Sequence, residues 1–76
     1  MEEEEVMRYT VYMSAEVAKG LLWPDTKLRI GGEENLLHTG AKLRCVGGPV
    51  DGLYRWYLWG YHHRGDDVKP FLKYRY

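Results

Sequence analysis

Histidine and cysteine, the residue types that most often bind zinc, occur at four positions of the 76-residue chain: His38, Cys45, His62 and His63. Neighbouring residues of a strand point to opposite faces of a sheet, so the adjacent His62 and His63 cannot readily hold one ion. The chain has neither a Cys-x-x-Cys nor a His-x-x-x-His spacing. We therefore expect no metal and no other cofactor.

Nucleophilic catalysis needs a nucleophile, a base and an orienting group within reach of one another. Cys45 with a histidine and an aspartate is the only set that could meet this need. The strand pattern places Cys45 in the interior, and aspartates Asp51, Asp66 and Asp67 lie in turn sequences, where their side chains bond nearby backbone. We predict that the protein is not an enzyme and has no small-molecule substrate.

The remaining candidate for a functional site is a basic, aromatic surface. Its predicted binding residues are Arg55, Tyr57, Trp59, Tyr61, Phe71, Lys73 and Arg75, with Lys42 and Arg44 alongside. Aromatic residues interleaved with Arg and Lys on a sheet are typical of single-stranded nucleic acid binders. Trp, Tyr and Arg are also enriched at protein–protein hot spots. The alternative is that a helix covers this face and makes it part of the core.

The surface depends on one long predicted strand, Leu53 to His63, which is rich in Tyr and Trp. A turn over residues 47–52, Gly-Gly-Pro-Val-Asp-Gly, joins it to a predicted strand at 41–46. This hairpin pairs Cys45 with Tyr54 and Leu43 with Trp56. The even-numbered residues of the long strand then form the core face, and the odd-numbered ones face outward.

A second hairpin is predicted through a five-residue loop at 64–68, returning as a strand at 71–76. It places Lys73 opposite Trp59 and Arg75 opposite Tyr57 on the outer face. A four-residue loop would exchange the two faces, because a slip of one residue moves every side chain to the other side of the sheet.

Shorter elements complete the pattern. Residues 7–13 alternate as a first strand with the odd-numbered residues inward, and Ser14 is a good N-cap for a helix over 15–22, which Trp23-Pro24 ends. Residues 27–30 are predicted as a short strand, and residues 33–39 as one helical turn or a loop.

These elements predict an α+β fold: a small antiparallel β-sheet of four or five strands with one short helix. The alternative is a small all-β barrel of the SH3-like type, in which 15–22 is not helical. We expect residues 1–5 to be a disordered acidic tail and residues 6–76 to form a single globular domain, since a chain of this length supports one core.

Charge and composition indicate where the protein is found and which partners it lacks. The formal net charge is zero, but residues 1–40 carry a net −4 and residues 41–76 a net +4. The acidic tail could therefore lie across the basic surface and screen Arg55, Lys73 and Arg75. A single cysteine excludes an intramolecular disulfide. No apolar run reaches the ~18 residues that a membrane span needs, and the acidic start is unlike the basic start of a signal peptide. We expect a cytoplasmic protein without a membrane partner.

The sequence Gly47-Gly48-Pro49-Val50-Asp51-Gly52, followed by a Tyr-rich strand and a closing Tyr-Arg-Tyr, resembles small uncharacterised proteins of phages and prophages. The resemblance covers the C-terminal half of the chain and implies no reaction. It implies a phage origin, and with it the cytoplasm of the host cell. We expect a non-enzymatic protein–protein interaction module, a phage-encoded modulator of a host protein or a self-associating protein. The alternative is single-stranded nucleic acid binding through the same surface.

Overall fold

The computed structural model describes residues 6–61 and 69–75 of the chain. The elements in chain order are β1 (Val6–Met13), α1 (Ala15–Gly20), β2 (Glu34–Leu36), β3 (Lys42–Val50), β4 (Leu53–Tyr61) and a 3-10 helix (Lys69–Tyr74). The four strands form one antiparallel sheet in the order β1-β4-β3-β2. The predicted α+β fold, a four-stranded antiparallel sheet with one short helix, is confirmed; the all-β alternative is not what forms.

One face of the sheet carries the core. Its buried residues include Val11 and Met13 of β1, Leu43 and Cys45 of β3, and Trp56 and Leu58 of β4. The prediction that the even-numbered residues of the long strand point inward is therefore correct. The Trp56 indole is fully buried, and its Nε1–H donates to the Met13 carbonyl oxygen at 2.9 Å, so the polar atom of the largest core side chain is satisfied.

The helix begins where the sequence predicts. The Ser14 side-chain oxygen accepts a hydrogen bond from the Val17 amide, which is the expected N-cap geometry. The helix ends at Gly20, two residues before the predicted end, and Leu21 is its C-cap. Ala18 and Leu22 are buried in the same cluster as the inward residues of the sheet, so this segment covers the core face.

The β3–β4 hairpin is longer and tighter than predicted. β3 continues through the Gly-rich sequence to Val50, and only Asp51 and Gly52 form the turn, with φ of 53° and 80°. Two central residues with positive φ are what a type I′ turn requires. The observed pairs are Cys45 with Trp56 and Leu43 with Leu58, a register two residues from the predicted one. Because side chains alternate with a period of two, that shift left Leu43, Cys45 and the residues opposite them on their predicted faces; beyond Cys45 the register shifts again at an irregularity before Gly47.

The predicted C-terminal strand at 71–76 is wrong over the described residues. Residues 69–74 form the 3-10 helix, and Phe71 is buried in the core. The second neighbour of β4 is β1, which pairs with it at eight consecutive positions. Arg75 instead makes an isolated bridge to Val11 on β1. The predicted pairs of Trp59 with Lys73 and of Tyr57 with Arg75 therefore do not form, and the loop at 64–68 lies outside the described residues.

Asn35 explains two further differences. Residues 27–30 are not a strand, because the Asn35 side chain supplies both backbone partners of Arg29: Oδ1 accepts from the Arg29 amide at 2.8 Å and Nδ2 donates to its carbonyl at 3.0 Å. The same Nδ2 donates to the Leu43 carbonyl at 3.2 Å. With Asn35 buried and satisfied, residues 34–36 form β2 rather than the predicted helical turn or loop.

Candidate functional site: the open face of the sheet

The face of the sheet opposite the core has no described element packed on it. Both α1 and the 3-10 helix lie on the other side, where Ala18 and Phe71 are buried. We call this surface the open face. Across the strands it forms three rows in register: Arg8, Trp59, Lys42 and Leu36; Thr10, Tyr57, Arg44 and Glu34; and Tyr12, Arg55 and Gly47. All of these residues are exposed or half-buried, so the predicted alternative, burial under the helix, is wrong.

An aromatic pair lies at the centre of the open face, on the central strand β4. The rings of Tyr57 and Trp59 pack side by side with centroids 5.2 Å apart and an interplanar angle of 35°. The Arg44 guanidinium lies over the Trp59 ring, 5.9 Å from its centroid. The Trp59 ring therefore contacts both the Tyr57 ring and the Arg44 guanidinium, and both rings are half-buried.

The open face carries an excess of positive charge. Four cationic side chains, Arg8, Lys42, Arg44 and Arg55, share it with one carboxylate, Glu34. Glu34 pairs with Lys42 at 3.7 Å and with Arg44 at 3.4 Å. These side chains are more than two-fifths exposed, so each pair contributes only about 0–1 kcal/mol. Within the described part of the chain, no ion pair involves Arg8 or Arg55.

A pocket of about 390 Å³ opens at the end of the open face, beside the β3–β4 turn. We call it the hairpin pocket; it is lined by Tyr12, Gly47, Gly48, Val50, Leu53 and Arg55. Its aliphatic residues are unusually accessible, with Val50 exposing 71% and Leu53 39% of the full residue surface. Leu36, at the other end of the face, is 44% exposed. The aromatic centre is therefore bordered by aliphatic residues that remain accessible in the described part of the chain.

The structure brings together only part of the predicted binding set. Arg55, Tyr57 and Trp59 lie on the open face as predicted. Phe71 is 2% exposed and belongs to the core, so its predicted place on this surface is wrong. The Tyr61 side chain lies outside the described part.

Lys73 and Arg75 are exposed but lie elsewhere. Arg75 lies over the ring of Tyr9 at 5.4 Å, and Lys73 over that of Tyr74 at 5.3 Å. Both rings pack against the core cluster on the other side of the sheet. The reason is the strand order, because β1 rather than the C-terminal segment borders β4.

The same strand order adds residues that the sequence reading missed. Arg8, Thr10 and Tyr12 of β1 join the open face. Their outward orientation follows from the alternation of residues 7–13. Their proximity to Trp59, Tyr57 and Arg55 required knowing which strand pairs with β4.

The other chemically capable side chains are separated. Cys45 is buried, and its Sγ lies 3.7 Å from the Gly47 carbonyl oxygen. His38 packs against the Trp23 ring with centroids 5.6 Å apart, and His62 and His63 lie outside the described residues. Within residues 6–61 and 69–75, no three His, Cys, Asp or Glu side chains are grouped to hold a metal ion.

No family model matches the chain, and neither the curated proteins nor the solved structures contain a match. Over the described residues, no helix has the length and apolar character needed to cross a membrane.

Proposed function

We propose that the protein is a non-enzymatic binding module whose open face contacts another protein. The observation that supports this most directly is the composition of that face: a Tyr57–Trp59 pair at its centre, an excess of cations around the pair, and accessible aliphatic residues at its borders. Tyr, Trp and Arg are the residue types that contribute most to binding at protein–protein interfaces. Accessible aliphatic side chains are further expected where another protein excludes water.

The charge of the open face indicates an acidic partner. Two copies of this chain placed face to face would bring four cations of one copy against four of the other, which opposes association. We therefore favour a different protein over self-association. The resemblance of the Gly-Gly-Pro-x-Asp-Gly segment to phage proteins adds the proposal that this partner belongs to a host cell and is modulated by binding.

The test produces the 76-residue protein and its variants in the cell of origin and purifies each one together with the proteins bound to it. We expect Tyr57→Ala with Trp59→Ala to lose the partners that the wild type retains. Trp23→Ala is a matched control, because Trp23 is also an accessible indole, 44% exposed, but lies in the segment after α1. Thermal unfolding of each variant shows that it is folded. If the double variant keeps every partner, the open face is not the interface.

Single-stranded nucleic acid binding is the second candidate. The specific observation in its favour is that aromatic rings on the central strand alternate with Arg and Lys on its neighbours, which is the arrangement that stacks bases and contacts phosphates. Such binding would weaken steeply as salt increases, because each neutralised phosphate releases a counterion. Filter binding with single-stranded DNA and RNA at low salt tests it, and the absence of retained nucleic acid would exclude it.

A further inference from the structure

The hairpin pocket combines an aliphatic wall with one cation. Val50 and Leu53 form an aliphatic pair at the end of the β3–β4 hairpin, where they face each other in register. Their accessible surface is much greater than that of the inward residues nearby. Arg55, two residues along β4, lies at the boundary between this wall and the aromatic centre of the open face. A ligand that satisfied both parts would need an apolar group and an anion close together.

The glycine opposite Arg55 leaves room for its guanidinium. A Cβ atom at Gly47 would lie 3.2 Å from Nη2 of Arg55 and 3.5 Å from its central guanidinium carbon. The guanidinium therefore lies close against a strand position that has no side chain. No ion pair of the described residues uses this guanidinium, and its planar group of donors matches the two oxygens of a carboxylate.

We propose that the hairpin pocket is the specificity pocket of the interface: it takes a bulky aliphatic side chain from an acidic segment of the partner protein, and Arg55 bonds the carboxylate of an adjacent residue. This inference rests on the proposed function and adds the chemistry that the partner must present. Charge complementarity selects this occupant, because the surrounding face carries three further cations and one carboxylate. The pocket, at about 390 Å³, is large enough for such a side chain.

The test uses three capped peptides and nuclear magnetic resonance of the isotope-labelled full chain. The peptides are acetyl-Gly-Asp-Leu-Asp-Gly-amide, the same peptide with Asn for both Asp, and the same peptide with Ala for Leu. We expect the first to shift the backbone amide signals of Tyr12, Gly48, Leu53 and Arg55. Each altered peptide should bind at least about fivefold more weakly, since one loses charge-assisted hydrogen bonds and the other apolar contact area.

Two variants assign the effect to the pocket. Arg55→Gln should weaken the Asp-Leu-Asp peptide about fivefold or more and remove its advantage over the Asn peptide. Arg29→Gln is the matched control, an exposed arginine in the segment before β2 that belongs neither to the open face nor to the pocket, and should change affinity less than about twofold. The amide spectrum of each variant reports directly whether it is folded.

Several results would overturn the inference. The first is that no peptide shifts the amide signals of the pocket, and the second is that all three peptides bind equally well. The third is that a thymidine octanucleotide binds more strongly at the same amides, which would identify a nucleic acid site. The outcome is separable from the proposed function. If the Tyr57 and Trp59 variant loses the native partners while Arg55→Gln retains them at full affinity, the open face is the interface but the pocket does not select the partner.

Discussion

Replacing Asn35 by alanine should destabilise the domain by about 3 kcal/mol, because the side chain makes three hydrogen bonds and each contributes roughly 0.5–1.5 kcal/mol net. The Leu43 carbonyl partner is buried, so it loses a partner without gaining water. A core of this size rarely supplies more than about 3–5 kcal/mol. The variant should therefore be close to its unfolding midpoint even without denaturant.

Urea unfolding followed by tryptophan fluorescence measures the loss. With a slope near 1 kcal/mol/M for so small a domain, the midpoint should fall by about 3 M. Leu36→Ala is the control on the same strand: the side chain is 44% exposed and should cost less than about 1 kcal/mol.

Asn35→Asp separates the roles of the two side-chain atoms. The carboxylate keeps an acceptor for the Arg29 amide but loses both donated bonds and buries a charge, so it should destabilise at least as much as alanine. Hydrogen exchange should show the Arg29 amide protected in the wild type and fast in Asn35→Ala. A loss of less than about 1 kcal/mol in both variants would mean that other contacts hold residues 27–30 against the sheet.

Four other changes should have smaller or opposite effects. Gly48→Ala should lower the free energy of unfolding by at least about 2 kcal/mol, since its Cβ would lie 2.9 Å from the main chain of β4 at a φ of +104°. Gly20→Ala, whose Cβ would have nothing within 4 Å, should raise the free energy of unfolding by about 0.5–1 kcal/mol. Urea midpoints equal to that of the wild type would contradict both predictions. Ser14→Ala should cost about 1 kcal/mol by removing the N-cap, with an unchanged melting temperature as the contrary result. Deleting residues 2–5, a prediction from the sequence alone, should leave stability nearly unchanged and raise weak polyanion binding at low salt; loss of the native partner on deletion would make the tail itself the contact.

Patterns among neighbouring residues predict the helix and the buried face of the sheet. They do not predict which distant segments pair with each other. Ser14 and the alternation of residues 7–13 act over a few positions, so they could be read directly. The buried face of β4 was predicted correctly even in the wrong register, because the error was an even number of residues. The Asp-Gly turn was within reach as well, since that dipeptide is a strong hairpin signal.

What could not be read was the competition for the free edge of β4. Both β1 and the C-terminal segment contain tyrosines and alternate apolar with polar residues. No local pattern says which of them pairs with β4, which is more than forty residues away from β1. The same competition decided the site, because it brought Arg8 and Tyr12 to the open face and left Lys73 and Arg75 off it. The role of Asn35 was hidden for a different reason: a side chain replaced a strand partner, which periodicity does not record.

The strand order also links the hairpin pocket to the docking of β1. Tyr12 comes from the first strand, whereas Val50, Leu53 and Arg55 come from the hairpin, so the pocket is complete only while β1 is paired at the sheet edge. A ligand that contacts both Tyr12 and the hairpin residues binds the sheet with β1 paired and does not bind a form with β1 detached. By mass action it then holds β1 in place, with a stabilisation of about 2.7 kcal/mol when present at a hundred times its dissociation constant. Detachment of β1 and binding of a ligand in the pocket therefore exclude each other, so a change in one equilibrium shifts the other.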